Sequence, residues 1–424
     1  MKKNTGCSKM VKIISMWFLF ISTLIVGQDF SIKSLQTYAN IGSSQSTQAK
    51  FPLISNSGQA ANSFTIEFDI EADYQPSLNI HFKFCDKNWQ PYDNIFLDNP
   101  LKNTEYSLYF ERLPLSIEGA SYHYKGKFPN DNVTFPFSGK WIYYITASNN
   151  ENEIYEEGRF IVVNSVMPIK TGFQRSRMEN GISREVELGR VLNLRVDFNL
   201  PDSLYPGRLL NVEVIKNHEI YDPIIINRDR YDSDRYFEWD GDRDFTFVAK
   251  DIKPGKNYRL LDIRSINKYP APAANAQFEG IETSRFTFPN KERDNFGGSI
   301  LKDYRDDYAE YIDVKFRLRL PDYFKKDVFV VGSFTGWDLF EGYKMNGKGG
   351  LYTNTIELKR GVYDYQYVTA YFDGENFTDI DWIELEGNKW TTVSEYRIFV
   401  YYKNSDYGEY DEIIGYSKIR SGIK

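Results

Sequence analysis

Histidine and cysteine are scarce in this 424-residue chain: three His (His81, His123, His218) and two Cys (Cys7, Cys85). So few leave little material for metal sites or nucleophile–base pairs, and the His are scattered among unrelated strand patterns. The GxSxG, HExxH, GxxxxGK(S/T) and GxGxxG patterns are missing, which removes the common hydrolase, zinc-peptidase and nucleotide-binding signatures. Paired carboxylates could run glycoside hydrolysis, but among 59 acids no pair stands out. The expectation is a protein with no catalytic set, no metal and no cofactor. Helical periodicity is nearly absent. Beyond the N-terminal run, no stretch approaches the length of apolar helix that spans a bilayer, roughly 18 residues or more.

Aromatic residues are plentiful. They make up 17% of the chain, with 32 Tyr, 31 Phe and 7 Trp. Tyr and Phe suit a pleated, half-buried surface, so the composition points to β-structure. At about 150 residues per domain, the length suggests roughly three domains.

The first twelve residues carry Lys2, Lys3, Lys9 and Lys12 and no acid. Ile13 to Val26 (IISMWFLFISTLIV) is apolar and ends at Gly27. A basic start, an apolar core of about 14 residues and a small-residue end read as a secretory signal peptide, residues 1–27. The competing reading is an uncleaved anchor. Cys7 precedes the run, so it cannot carry a lipoprotein's lipid. Without residues 1–27 the net charge moves from −7 to −11, and an acidic chain gains little from a nucleic acid. Cys85 is then a lone thiol, so exported domains must hold by packing alone. It sits in an alternating pattern and is expected to pack as a small hydrophobe.

Period-two runs of five to nine residues recur, broken by Gly, Asn, Asp and Pro. SFTIEFDIEA (63–72) sends Phe64, Ile66, Phe68 and Ile70 to one face and Thr65, Glu67 and Asp69 to the other. LNIHFKFCD (78–86), YSLYFERL (106–113), YHYKGKF (122–128), GKWIYYITAS (139–148) and GRFIVVNS (158–165) follow. The expected fold is all-β, three tandem immunoglobulin-like β-sandwiches on a string: residues 29–166, 167–290 and, after a polar linker over 291–310, residues 311–424.

Asp240-Gly241-Asp242-Arg243-Asp244 has the flavour of a calcium loop. The bidentate Glu is missing, and Arg228, Arg230, Arg235 and Arg243 are interleaved, so a solvated hairpin end competes with the ion site. DVFVVGSFTGWD (327–338) places Trp337 on a turn after a strand, where it reads as exposed or half-exposed. It resembles the turn of early-set, glycogen-binding-type modules, in which aromatics stack on sugar rings. Trp382 or Trp390 would supply the second aromatic, and packing of Trp337 at a sandwich edge is the competing reading.

FKFCDKNWQPYDNIFLDN (82–99), with Cys85 and Trp89, FSGKWIYYI (137–145), EGRFIVVNSVMP (157–168), KPGKNYRLLDIRSINKY (253–269), the GSFTGWD turn and EYDEIIGY (409–416) follow one another in an order similar to that of a single family. Over about residues 30–418 the chain resembles the type IX secretion system plug proteins. The resemblance implies a non-enzymatic periplasmic subunit that binds and occludes the outer-membrane translocon β-barrel, with no nucleic acid or small-molecule substrate and no transmembrane segment of its own. Trp89, Asp262 and Arg264 become candidate partner-binding or interdomain residues. In one strand, Asp262 and Arg264 share a face, and a forked ion pair bracing the second domain on the third competes with direct contact to the translocon. The alternative function is a carbohydrate-binding envelope protein that uses Trp337 and Trp390.

Overall fold

The computed structural model describes residues 30–422, less 42–46, 56–57, 59, 179–188, 229–231, 279, 287–293 and 303–308. The signal-peptide reading (1–27) lies outside these residues. Among the described residues, strands form six sheets, and the one α-helix, Ile95–Asp98, is a single turn. Among the described residues no helix is long and apolar enough to cross a membrane.

The sheets pack in pairs around three cores. In the first sandwich, one sheet orders Phe30–Ala39, Phe64–Ala72, Tyr122–Phe128 and Glu111–Arg112, and the other orders Leu53–Ile54, Asn150–Val162, Gly139–Ala147, Leu78–Cys85 and Thr104–Glu105. Phe64, Phe82, Trp141 and Phe160 fill the space between them. Phe82 and Phe160 meet edge-on (6.0 Å, 81°), while Phe64 stacks on Phe160 (4.3 Å, 30°), both arrangements that the aromatic quadrupole allows when the stack is offset. Cys85 is buried on the other face of the Leu78–Cys85 strand, and that burial pushes its thiol up to about 12.

The second sandwich is assembled from distant pieces of chain. Its first sheet runs Lys170–Arg177, Arg190–Asn199, Asp244–Ile252, Arg235–Trp239. Its second runs Ile224–Asn227, Leu209–Lys216, Glu395–Asn404, Tyr410–Arg420. Val212 pairs with Val400 and Val214 with Ile398. The third sandwich is therefore an insertion. Arg259–Asp262 pairs with Val362–Phe372, and Tyr311–Arg319 pairs with Leu351–Lys359.

The tandem partition fails at three places. The segment 259–283, read as the end of the second block, lies in the third sandwich. The supposed linker contributes Ser299–Ile300 to that sandwich's sheet. The last two strands, read as part of the third block, close the second. Pairing is also not all antiparallel: Ala273–Asn275 and Glu282–Thr283 run parallel to Tyr311–Arg319.

The strand Phe64–Ala72 shows why the modules are not beads on a string. Its apolar face fills the first core as alternation predicts. Its polar face is buried as well, including Thr65, Glu67 and Asp69. A buried carboxylate requires a partner, and two partners of Asp69, Lys359 and Tyr311, come from the third sandwich.

Candidate functional site at the junction of the three sandwiches

Each pair of sandwiches is joined by a polar contact closed off from water. Between the first and second, Lys140 Nζ lies 2.8 Å from Glu213 Oε2, with side chains 2% and 0% exposed. Lys140 also donates to Lys87 O (2.7 Å) and sits over the Trp89 ring (4.7 Å). Burial pushes the Lys140 ammonium down and the Glu213 carboxyl up, while their mutual attraction opposes both shifts. Apolar residues surround the pair: Phe51, Leu53, Trp89 and Ile161 from one side, Ile215, Phe399 and Tyr401 from the other.

Between the first and third, Asp69 is the hub. Lys359 Nζ lies 2.7 Å from Asp69 Oδ2, Tyr311 OH donates to the same oxygen (2.8 Å), and His123 Nδ1 is 2.7 Å from Oδ1. Burial works against the charge on Asp69, but His123 and Lys359 outweigh it and hold the carboxyl below its usual value. Backbone approach is close here. A Cβ at Gly119, which sits at φ +86°, would come within 2.7 Å of Tyr311 Cβ.

Between the second and third, Tyr258 OH donates to Glu219 (2.6 Å) and accepts from Asn217 Nδ2 (2.9 Å). Its ring packs on Trp337 with centroids 4.1 Å apart. Trp337 is 2% exposed, and its indole N–H donates to Gly297 O (2.6 Å). The exposed aromatic expected on the GSFTGWD turn is thus an internal wedge with no face left for a sugar. Trp390 lies far along the chain from that turn and is spent on the second sandwich: it is half-buried, donates to Val191 O (3.0 Å) and carries Arg190 over its ring. Trp382 packs beside the Trp337 cluster.

Trp89 lies in the first–second junction, buried, with a left-handed backbone (φ +66°) on the turn that follows Leu78–Cys85. Asp262 and Arg264 do form the forked pair, at 2.8 and 2.6 Å. Asp262 ends a strand of the third sandwich, so the pair folds back within that sandwich, and the brace to the second comes from Tyr258 instead. The neighbouring Arg259 was missed. It is buried, with Nε on Glu386 (2.9 Å), Nη1 on Glu282 (2.7 Å) and Nη2 on Thr283 O (2.8 Å). The signal was present, since alternation puts Arg259 on the same face as Leu261, the inward face of the strand. Arg285 adds a second contact to Glu386 (2.8 Å).

A cavity of about 190 Å³ lies where all three sandwiches meet, lined among others by Gln36, Phe51, Tyr143, Arg159, His218 and Trp337. His218 faces Phe296 O at 2.7 Å, and burial pushes it down to about 4. Asp240, in the acidic hairpin, accepts from the backbone N–H groups of Asp242 and Asp244 (2.8 and 3.2 Å). Among the described residues no group of three His, Cys, Asp or Glu is disposed to hold a metal ion.

This is a body of three all-β sandwiches locked by buried charge. Residues 32–164, the first sandwich, match the family model for the type 9 secretion system plug protein first domain. Over that sandwich, about a third of its length, the chain is similar to the first domain of type 9 secretion system plug proteins. A hypothetical protein from Parabacteroides merdae ATCC 43184, known from its crystal structure, superposes with a TM-score of 0.73 at 18% identity, over 92% of this chain and 97% of that one, and so shares the fold. A bacterial ice-binding adhesin of 1.5 MDa aligns with a TM-score of only 0.15 at 8% identity, over 93% and 97% of the two chains, and carries no argument. No curated protein matches the sequence.

Proposed function

We propose that this chain is a non-enzymatic subunit of the type 9 secretion machinery that acts by obstruction. In this reading it is exported, binds the periplasmic mouth of the outer-membrane translocon β-barrel and closes the channel when no client is engaged. The observation that carries it is the family match of the first sandwich, together with the way that sandwich is tied to both others by Lys140–Glu213 and Asp69–Lys359. A stopper must resist deformation, and modules joined by buried, hydrogen-bonded charges cannot slide without stranding an ion in an apolar setting. Release on demand calls for a polar, moderate interface of the non-obligate kind. The Tyr-rich composition suits such a surface, since Tyr offers contact area with a polar tip.

The test is a deletion strain assayed for entry of large antibiotics, together with affinity purification of the native protein. The expected result is a leaky outer membrane with secretion partly retained, and an outer-membrane barrel in the eluate. Normal antibiotic resistance and no barrel would end the proposal.

A further inference from the structure

The outermost strand of the second sandwich, Tyr410–Arg420, pairs with Glu395–Asn404 on one side. The register sets Arg397 opposite Lys418 and Glu395 opposite Arg420. Side chains alternate along a strand, so these four share one face. One carboxylate there serves three cations: Glu395 lies 2.9 Å from Arg397, 2.6 Å from Arg420 and 3.7 Å from Lys418.

That face is one wall of a cleft of about 690 Å³. The opposite wall is the first sandwich, with Ile41, Lys50 and Phe51, and the loop Asp294–Phe296 closes the end. Lys50 has no acidic partner among the described residues. Asp294 is the second acid of the lining, but its oxygens are occupied by the backbone N–H groups of Tyr258 (2.8 Å) and Phe296 (3.1 Å). Arg397 is engaged too, under the Phe51 ring and on Asn217 O. Lys418 and Arg420 remain about half exposed, each at 48%. An excess of positive charge thus gathers in one groove of a chain whose net charge is −7.

We propose that this cleft receives an extended, acidic segment of a partner polypeptide, with its carboxylates against Lys50, Lys418 and Arg420. Charge complementarity selects the sign of the occupant. Ile41, 50% exposed, and the partly exposed Phe296 give alternate side chains a place to rest, which a bare anion would not use. Tyr416 donates its N–H to Ser165 Oγ (3.2 Å). Beyond it, residues 417–420 have no further strand partner among the described residues, which suits a peptide that adds along a sheet edge. Such a cleft would act whether or not the chain closes a channel.

The full chain is titrated with a fluorescein-labelled peptide of alternating Asp/Glu and Val/Ile, and with a control peptide in which Lys replaces the acids, with anisotropy as the readout. Lys50→Glu and Lys418→Glu, both surface changes, are combined in one variant whose unfolding curve is matched to the parent's. Support is binding of the acidic peptide only, weakened about tenfold or more in the double variant and weakened again between about 50 mM and about 500 mM salt. The proposal is overturned if the acidic peptide does not bind or if the double variant binds it as well as the parent. It is equally overturned if inorganic phosphate competes on equal terms, which would make this a small-anion site, or if anionic phospholipid vesicles bind in place of the peptide.

Discussion

Lys140 and Glu213 face each other at 2.8 Å across the boundary between two sandwiches, with neither side chain more than 2% exposed. Glu213 Oε1 has no hydrogen-bond partner, so the pair is not fully compensated. Removing one member leaves a lone buried charge, while removing both leaves a site apolar neighbours can fill. Glu213→Gln or Lys140→Met alone is expected to cost about 3–5 kcal/mol, and Lys140→Met with Glu213→Leu to recover most of the loss. Urea unfolding of the three variants checks this, and additive losses would show that the pair is not coupled.

Glu386 sets an acid limit. Burial alone would raise its pKa, but Arg259 and Arg285 outweigh burial and hold it at about 2, against an ordinary 4.5. A carboxyl depressed in the folded state contributes stability above its unfolded value and loses it as pH falls toward the folded one. The contribution is on the order of 3 kcal/mol. The third sandwich should therefore loosen progressively between pH 4.5 and about 2. Glu386→Gln should be less stable at pH 7 and lose this slope, as read from denaturation midpoints across the range.

Trp337 is a wedge rather than a sugar platform. Trp337→Ala is expected to destabilise by about 3–5 kcal/mol, and the parent should migrate unretarded through glycogen in affinity electrophoresis. Retardation abolished by the substitution would reverse this assignment.

Cys85 should be chemically silent. Only a thiolate reacts well, and burial pushes this thiol up to about 12. Iodoacetamide at pH 8 is expected to leave the Cys85 peptide unmodified in the native protein and to modify it fully in denaturant, as read by peptide mass.

The strands themselves were legible because alternation is a local property. FTIEFDIEA, LNIHFKFC and GKWIYYITA each form the strand their pattern predicts. Partnership was not legible. Glu395–Asn404 reads like any aromatic strand, and nothing in EYRIFVYY indicates that Leu209–Lys216 lies beside it. The polar face of a strand is likewise read as solvated, so Asp69 and Glu213 gave no sign that another sandwich covers them. Trp337 sat on a turn, where exposure is the ordinary expectation, yet the groups that enclose it, Tyr258 and Gly297, are remote in sequence. Within the motif around 253–269, Asp262 and Arg264 have the spacing of a forked pair, whereas Arg259 carries the buried network through Glu282 and Glu386, which are remote in sequence.

Because residues 395–420 complete a sheet begun near residue 209, the middle module cannot finish folding until those residues have been delivered. If the chain is exported as proposed, a nascent chain held in an export channel would keep that half-built sheet open and delay commitment until transport ends. A premature stop shortly before residue 395 would spoil a module whose own beginning lies some two hundred positions upstream.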